Sequence, residues 1–371
     1  MRITGVTSYH LPGTRYPWVF LRIDTDAGIH GIGQVSSGPN SPVVAAATSK
    51  LSPLLVGEDP SRIEFLWHKL YTSFSSLGSL GFVSAIISGV DIALWDIRGK
   101  ELGRPIYELL GGRFRDRLVL YSNGWFAGCK TPEEFARAAK KTVDEGHTAI
   151  KLDPFRQQNP TLLRHGANYD PVDDLAAVAI IEAIRDAVGP GIEIFIDAHG
   201  RWDVPTAIRL ANRLAPYRIG WFEEPVPPEN PDALRQFRDR SPVPVCVGER
   251  LYTRWQFRPI LEQKLADYIM PDVIRTGGIS ELKKIATMAE AFFIPVSPHD
   301  ATGPITLIAG AQTMMSTSNF FRLEIAYSEL AQYNKAMTPP FDVREGHFYV
   351  SDRPGLGHDL SEEYIAQAIA I

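Results

Sequence analysis

Ile194-Phe195-Ile196-Asp197-Ala198-His199, Trp221-Phe222-Glu223-Glu224-Pro225 and Val247-Gly248-Glu249-Arg250 repeat one pattern: a short apolar run that ends in an acid. Asp197, Glu223 and Glu249 follow one another at intervals of 26 residues, the length of one strand-plus-helix unit. The same rhythm runs outward in both directions. Strand candidates are residues 118–121, 149–152, 193–196, 220–222, 243–247, 268–270, 293–296 and 320–323. Between them lie stretches with helical periodicity, among them 132–146, 175–188, 204–214 and 280–291. Eight β/α alternations predict an α/β fold, a (β/α)8 barrel, with a doubly wound sheet as the alternative.

In a parallel barrel, equivalent positions one unit apart lie side by side at the C-terminal rim, so the three carboxylates are expected to converge there. Alone they would repel one another, and a cation is the natural partner. Oxygen-only ligands make that ion hard, Mg²⁺ first and Mn²⁺ second. A lone acid at a strand end is ordinarily a helix cap; three in register argue for the metal. The series continues with Lys151 on the second strand, Asp272 on the sixth, His299 on the seventh and Glu324 on the eighth. Asp272 and His299, on neighbouring strands, form an acid–imidazole pair suited to a general base.

The rest of the chain narrows the classes. The 371 residues carry 38 Lys+Arg against 43 Asp+Glu, a formal charge of −5, which disfavours nucleic acid as a partner. No apolar run approaches the roughly 18 residues of a membrane span. Met1–Val6 reads as a strand rather than a signal peptide, and a cytoplasmic protein is expected. Two distant cysteines, Cys129 and Cys246, offer neither a disulfide framework nor a zinc site. Ahead of the barrel, residues 19–26 and 29–35 read as a hairpin, followed by helical periodicity over 42–70 and 84–102. Gly31 and Gly33 lack the third glycine of a dinucleotide site and read as hairpin glycines. The expected division is an α+β unit over 1–117, a barrel over 118–338, and a tail over about 339–371 that folds back onto the first unit.

At this point the residues resemble the enolase superfamily, in its mandelate racemase-like group. Ala85-Ile86-Ile87-Ser88-Gly89-Val90-Asp91-Ile92-Ala93-Leu94-Trp95-Asp96-Ile97-Arg98-Gly99-Lys100 looks like that group's capping-domain signature, with Leu109-Leu110-Gly111-Gly112 after it. Asp197, Glu223 and Glu249 match its metal triad; Pro271-Asp272, Gly277-Gly278 and His299 match its Asp–His dyad. The resemblance implies an α+β N-terminal capping domain closing over a modified TIM barrel, one Mg²⁺ per subunit holding a substrate carboxylate, and a homo-oligomer.

Departures within the group point to the reaction. Racemases carry Lys-x-Lys on the second strand, whereas here Lys151-Leu152-Asp153 replaces the second lysine with an acid. Asp197-Ala198-His199, Gly248-Glu249-Arg250 and His299-Asp300-Ala301-Thr302-Gly303-Pro304-Ile305 resemble the sugar-acid dehydratases, especially a galactonate dehydratase-like subgroup. The expectation is a sugar-acid hydro-lyase. His299, oriented by Asp272, takes the α-proton; His199 protonates the leaving hydroxide; Lys151 and Glu324 attend the carboxylate. Asp153 is expected to hold Lys151 charged. Arg15, Tyr16 and Trp18 of the cap are the expected substrate contacts, and the long stretch 154–173, with Arg156, Arg164, His165 and Asn168, a lid or a subunit contact. The alternative is a racemase, epimerase or cycloisomerase on the same scaffold. A metal hydrolase of the amidohydrolase kind would want His-x-His on the first strand, where Val119-Leu120-Tyr121-Ser122-Asn123 stands. A barrel kept only for binding would not retain the triad and the dyad together.

Overall fold

The computed structural model of the chain describes residues 1–11, 17–37, 41–76, 78–155 and 171–370. Strands β1 (Ile3–Leu11), β2 (Trp18–Thr25) and β3 (His30–Ser37) form an antiparallel sheet, followed by helices α1 (Ser41–Leu55), α2 (Ile63–Ser73), α3 (Phe82–Leu102) and α4 (Ile106–Leu109). Val19, Leu21, Ile23 and Val35 from the sheet and Ile86, Val90 and Leu94 from α3 bury together as the core of this cap. Gly31 and Gly33 sit where α3 crosses β3, and a Cβ on either would collide with the carbonyls of Ala93 or Gly89. The G-x-G therefore serves close helix–sheet packing rather than the hairpin turn, which Gly28 makes at φ 73°.

The barrel follows: β4 (Leu118–Asn123), α5 (Pro132–Asp144), β5 (Ala149–Leu152), α6 (Pro171–Val188), β6 (Glu193–Asp197), α7 (Val204–Leu214), β7 (Trp221–Glu223), α8 (Pro231–Arg238), β8 (Val245–Val247), α9 (Thr253–Glu262) and β9 (Tyr268–Ile269). These strands pair in parallel in chain order from β4 to β9. Next come α10 (Val273–Thr276), α11 (Ile279–Ala291) and α12 (Pro304–Met315), and β10 (Leu323–Ala326) closes the ring onto β4. The seventh strand position survives only as bridges, Val296 to Ile269 and Phe320, and Asp272 to His299. The eighth strand begins three residues later than its apolar run suggested. Phe321 packs against the inner cluster while ladder pairing starts at Leu323, so apolar sequence marked burial and not backbone pairing.

Inside the ring, Tyr121, Ala149, Phe195, Trp221, Cys246 and Met270 make an apolar layer, with Phe195 stacked on Trp221 at 3.6 Å between ring centroids. Side chains alternate along a strand, so the residue two further on faces the same way. Those residues are Asn123, Lys151, Asp197, Glu223, Gly248 and Asp272. One period of two thus turns an aromatic floor into a polar ceiling. Glu249 is the exception, one residue beyond the inward position, and Gly248 at φ 141° supplies the backbone geometry that brings it in.

The tail, after helix α13 (Leu330–Ala336), contains β11 (Met337–Thr338), β12 (Asp342–Arg344), β13 (His347–Tyr349), β14 (Asp359–Leu360), α14 (Glu362–Ile365) and β15 (Ile369–Ala370). β13 pairs with the start of β4, while β15 adds to the cap sheet beside β1. Buried Asp96 accepts from the backbone N–H of Ile32 and of Leu356 and pairs with Lys100, while Asp359 meets His30 at 2.8 Å.

Helix α3 also grips the barrel. Ser84 Oγ donates to the Arg275 carbonyl, Ser88 Oγ accepts from Gly277 N–H, and Asp91 takes both the N–H and the hydroxyl of Ser280. Trp67 and Trp95 add indole N–H bonds to the Gly277 carbonyl and Ser280 Oγ. Burial pushes the Asp91 carboxyl up to about 7 despite the two Ser280 bonds. Gly278 has φ 89°, and a Cβ there would strike the Asp91 carboxylate. Gly278→Ala should therefore cost about 2–4 kcal/mol, from strain and overpacking together. Gly28→Ala, where nothing lies within 4 Å, should cost only the backbone share of about 1 kcal/mol. Urea unfolding of the two variants checks this; equal losses would contradict it.

Candidate active site

Asp197 ends β6, Glu223 ends β7 and Glu249 follows β8; one oxygen of each lies within 4.8 Å of the others, and all three residues are buried. Burial and neighbouring Asp197 push the Glu223 carboxyl well above the usual range. Burial acts the same way on Glu249, but His299 overcomes it and holds that carboxyl well below the usual range. Such crowding is what a divalent cation relieves, and the oxygen-only donor set fits one.

Lys151 supplies positive charge beside the triad. Its ammonium, 1% exposed, lies 2.9 Å from Glu223 Oε1, 2.8 Å from Glu324 Oε1 and 3.8 Å from Asp197 Oδ2. Burial works against the charge, but Glu223 and Glu324 outweigh it and raise the ammonium well above its ordinary value. Asp153 is not among these partners, which corrects the expectation that it holds the lysine charged. It lies past the end of β5, accepts the Phe155 N–H, and is gripped by both Nη atoms of Arg201. Burial would raise its carboxyl, yet hydrogen bonds from His199 and Arg201 bring it to about 2.

The two histidines meet the triad from different sides. His299 Nδ1 is 2.7 Å from Asp272 Oδ2, and its Nε2 is 3.0 Å from Glu249 Oε2. Asp272 itself caps α10 through Ile274 N–H. His199 Nδ1 is 3.1 Å from Asp153 Oδ2 and 3.2 Å from Asp197 Oδ1. His199 holds φ 50°, a strained value for a non-glycine residue. Burial opposes its charge; Asp197 and then Asp153 overcome that and bring the imidazole to about 9. Glu324 accepts from Lys151, Asn123 Nδ2 and Asp300 N–H, so the eighth strand is tied to the first, second and seventh.

Trp18 is 2% exposed and packs against Phe20, Tyr333 and Tyr364, between the first sheet and the C-terminal segment. Its side chain is taken up in packing among these aromatics. Arg15 and Tyr16 lie outside the described residues, as do 156–170 of the long stretch after β5, with Arg156, Arg164, His165 and Asn168. Two arginines beside the triad were given no role of their own in the sequence reading. Arg275 on α10 donates to the Glu249 carbonyl and lies 3.8 Å from Asp272; Arg250 pairs with Glu224, which sits buried at φ 39° beside the triad. Position offered a signal for both: Arg250 is next to a ligand, and Arg275 is three residues after Asp272.

Residues 8–111 match the N-terminal domain of mandelate racemase / muconate lactonizing enzyme, and residues 134–364 match the enolase C-terminal domain-like family. The chain belongs to this family. D-galactonate dehydratase of Pectobacterium atrosepticum is 37% identical over 99% of this chain and 94% of its own length. D-xylonate dehydratase of Haloferax volcanii is 35% identical over 96% of this chain and 86% of its own. A solved structure of an enolase superfamily member from Salmonella Typhimurium superposes with a TM-score of 0.94 at 33% identity, over 100% of this chain and 99% of that one. The architecture is the family's capped (β/α)8 barrel, and the expected carbon–oxygen lyase class agrees with these relatives.

Removing Lys151 tests the electrostatic account without substrate. Lys151→Met should destabilise the metal-free chain by about 3–5 kcal/mol, because Glu223 and Glu324 lose their buried counter-charge. Saturating Mg²⁺ should recover part of that loss by binding the folded state. Thermal unfolding in chelator and in Mg²⁺ measures both; the same loss in the two buffers would contradict the account.

Proposed function

We propose that the chain is a Mg²⁺-dependent dehydratase of an aldonate-like sugar acid, releasing a 2-keto-3-deoxy sugar acid. The observation that carries this reading is the pair of histidines. They stand on the third and seventh strands, four apart around a barrel of eight, and each touches a different carboxylate of the triad. Relatives named for galactonate and xylonate support the substrate class.

Asp197, Glu223 and Glu249 would hold the ion, whose charge favours the ene-diolate form of the substrate carboxylate. Were Glu249 committed as a ligand, His299 Nε2 would give up that contact and the proton in it and could then take the α-proton, with Asp272 stabilising the imidazolium formed. The electron pair left at the α-carbon moves into the carboxylate. On its return a C2=C3 double bond forms and the C3–O bond breaks; the departing hydroxide takes a proton from His199 and leaves as water. The enol then gains a proton at C3 and gives up its C2 hydroxyl proton to become the ketone, so the net change is loss of one water.

Lys151 meets a carboxylate oxygen as an ammonium, and Glu324 anchors it. The ionised Glu324, with Lys151 holding its carboxyl below the usual range against burial, accepts hydrogen bonds rather than donating one. A lysine paired with two carboxylates has no lone pair for a second base. One face of the α-carbon is therefore served, and a single 2-epimer should react.

An acid-sugar library incubated in deuterated water tests the reading, with α-label and keto acid followed together. His299→Asn should lose both label exchange and dehydration, whereas His199→Asn should lose about 10²-fold in dehydration and far less in exchange. Only one of each pair of 2-epimers should be consumed. Label entering both epimers with little keto acid would favour an epimerase instead.

A further inference from the structure

The substituted position on the second strand has a partner. From the geometry we infer that Asp153 and Arg201 are positioning residues for His199, completing a second carboxylate–imidazole dyad across the mouth from Asp272–His299. The inference rests on the proposed dehydratase reading for its kinetic consequence and on the structure alone for its geometry.

The two dyads are built alike. In each, the carboxylate ends one strand unit and the histidine follows the next: Asp153 after β5 and His199 after β6, Asp272 after β9 and His299 in the next unit. In each, Nδ1 faces the carboxylate, at 3.1 Å for His199 and 2.7 Å for His299. In each, the carboxylate is fixed by a backbone N–H two residues on, from Phe155 or Ile274. Anchoring Nδ1 settles the ring's orientation and leaves Nε2 as the atom that exchanges a proton with substrate.

Three groups compete for His199 Nδ1: Asp153 at 3.1 Å, Asp197 at 3.2 Å and Arg201 Nη2 at 3.2 Å. Asp197 is a member of the triad, and its Oδ1, the oxygen nearest the ring, already accepts the backbone N–H of His199. Arg201 is a donor whose fork is already committed to both oxygens of Asp153. Asp153 is the acceptor that remains. Arg201 in turn fixes Asp153 with a bidentate grip that a lysine has no geometry to reproduce. Asp153 is 3% exposed, so water does not substitute for either contact. The strained φ of 50° at His199 is then the backbone cost of turning its ring toward Asp153 instead of following the strand.

The dyads should divide the reaction. Loss of Asp272 support affects proton removal, and loss of Asp153 support affects departure of the hydroxyl. Asp153→Asn in the Mg²⁺-loaded enzyme should lower the kcat for keto-acid release about 10²-fold, with KM changed less than threefold and α-deuterium exchange largely kept. Arg201→Lys should show the same imbalance, more mildly. Combining Asp153→Asn with His199→Asn should be no worse than His199→Asn alone, since the two act through one proton donor.

A crystal structure of the Mg²⁺-loaded enzyme provides a readout that needs no turnover: His199 Nδ1 should lie within hydrogen-bond distance of Asp153, and the ring should turn away in Asp153→Asn with the metal in place. Parallel loss of exchange and dehydration, additive effects in the double variant, an unaffected kcat, or an unmoved ring would each overturn the inference. A wild type that releases no keto acid from any acid sugar, yet shows this ring geometry and its loss in Asp153→Asn, would sink the dehydratase reading and leave the positioning role standing.

Discussion

Mutual repulsion among buried carboxylates is the constraint around which the barrel mouth is arranged. Asp197, Glu223, Glu249 and Glu324 are all buried at the top of the ring. In a medium of low polarizability, charges this close are costly unless cations share the space. Lys151 lies between Glu223 and Glu324, His299 bridges Glu249 and Asp272, and Arg275 reaches toward Glu249 and Asp272. These groups offset part of the charge. The triad keeps the remainder, and a bound metal ion would offset it.

Among the described residues, the cap reaches the dyad side of the barrel mouth through α3. Ser84, Ser88 and Asp91 bond the backbone of α10 and the start of α11, and Asp272 is the residue that caps α10. The dyad carboxylate is therefore held from two sides, by its own helix and by the cap helix behind it. Gln34 on β3 likewise donates to the Thr302 carbonyl, in the loop that follows His299. Dyad placement and cap docking share one set of hydrogen bonds, so changes at the α3 interface should reach the base.

What was legible in the sequence was whatever repeats with the fold. Asp197, Glu223, Glu249, Asp272, His299 and Glu324 could be placed because the β/α unit brings each to the same rim, and strand starts at Leu118, Ala149, Glu193 and Tyr268 fell where apolar runs predicted. What was not legible depends on side-chain reach between units. Asp153 sits two residues after Lys151, which suggested a lysine partner; the chain leaves β5 at Leu152, and Asp153 turns to Arg201 and His199. Trp18 resembled a mouth residue by its position in the cap, but its neighbours Tyr333 and Tyr364 come from the other end of the sequence. Gly31 and Gly33 read as hairpin glycines for the same reason, since the atoms that demand them belong to α3.

The central claim is that the acidic triad is a site for one divalent ion, on which the function of both histidines depends. Titration of Mn²⁺ into the metal-free chain, followed by electron paramagnetic resonance, tests it most directly. One ion per chain should bind, Mg²⁺ should compete for it, and Glu223→Gln should weaken the affinity at least tenfold, about 1.4 kcal/mol. Absence of a stoichiometric site, or binding indifferent to Glu223→Gln, would contradict the account.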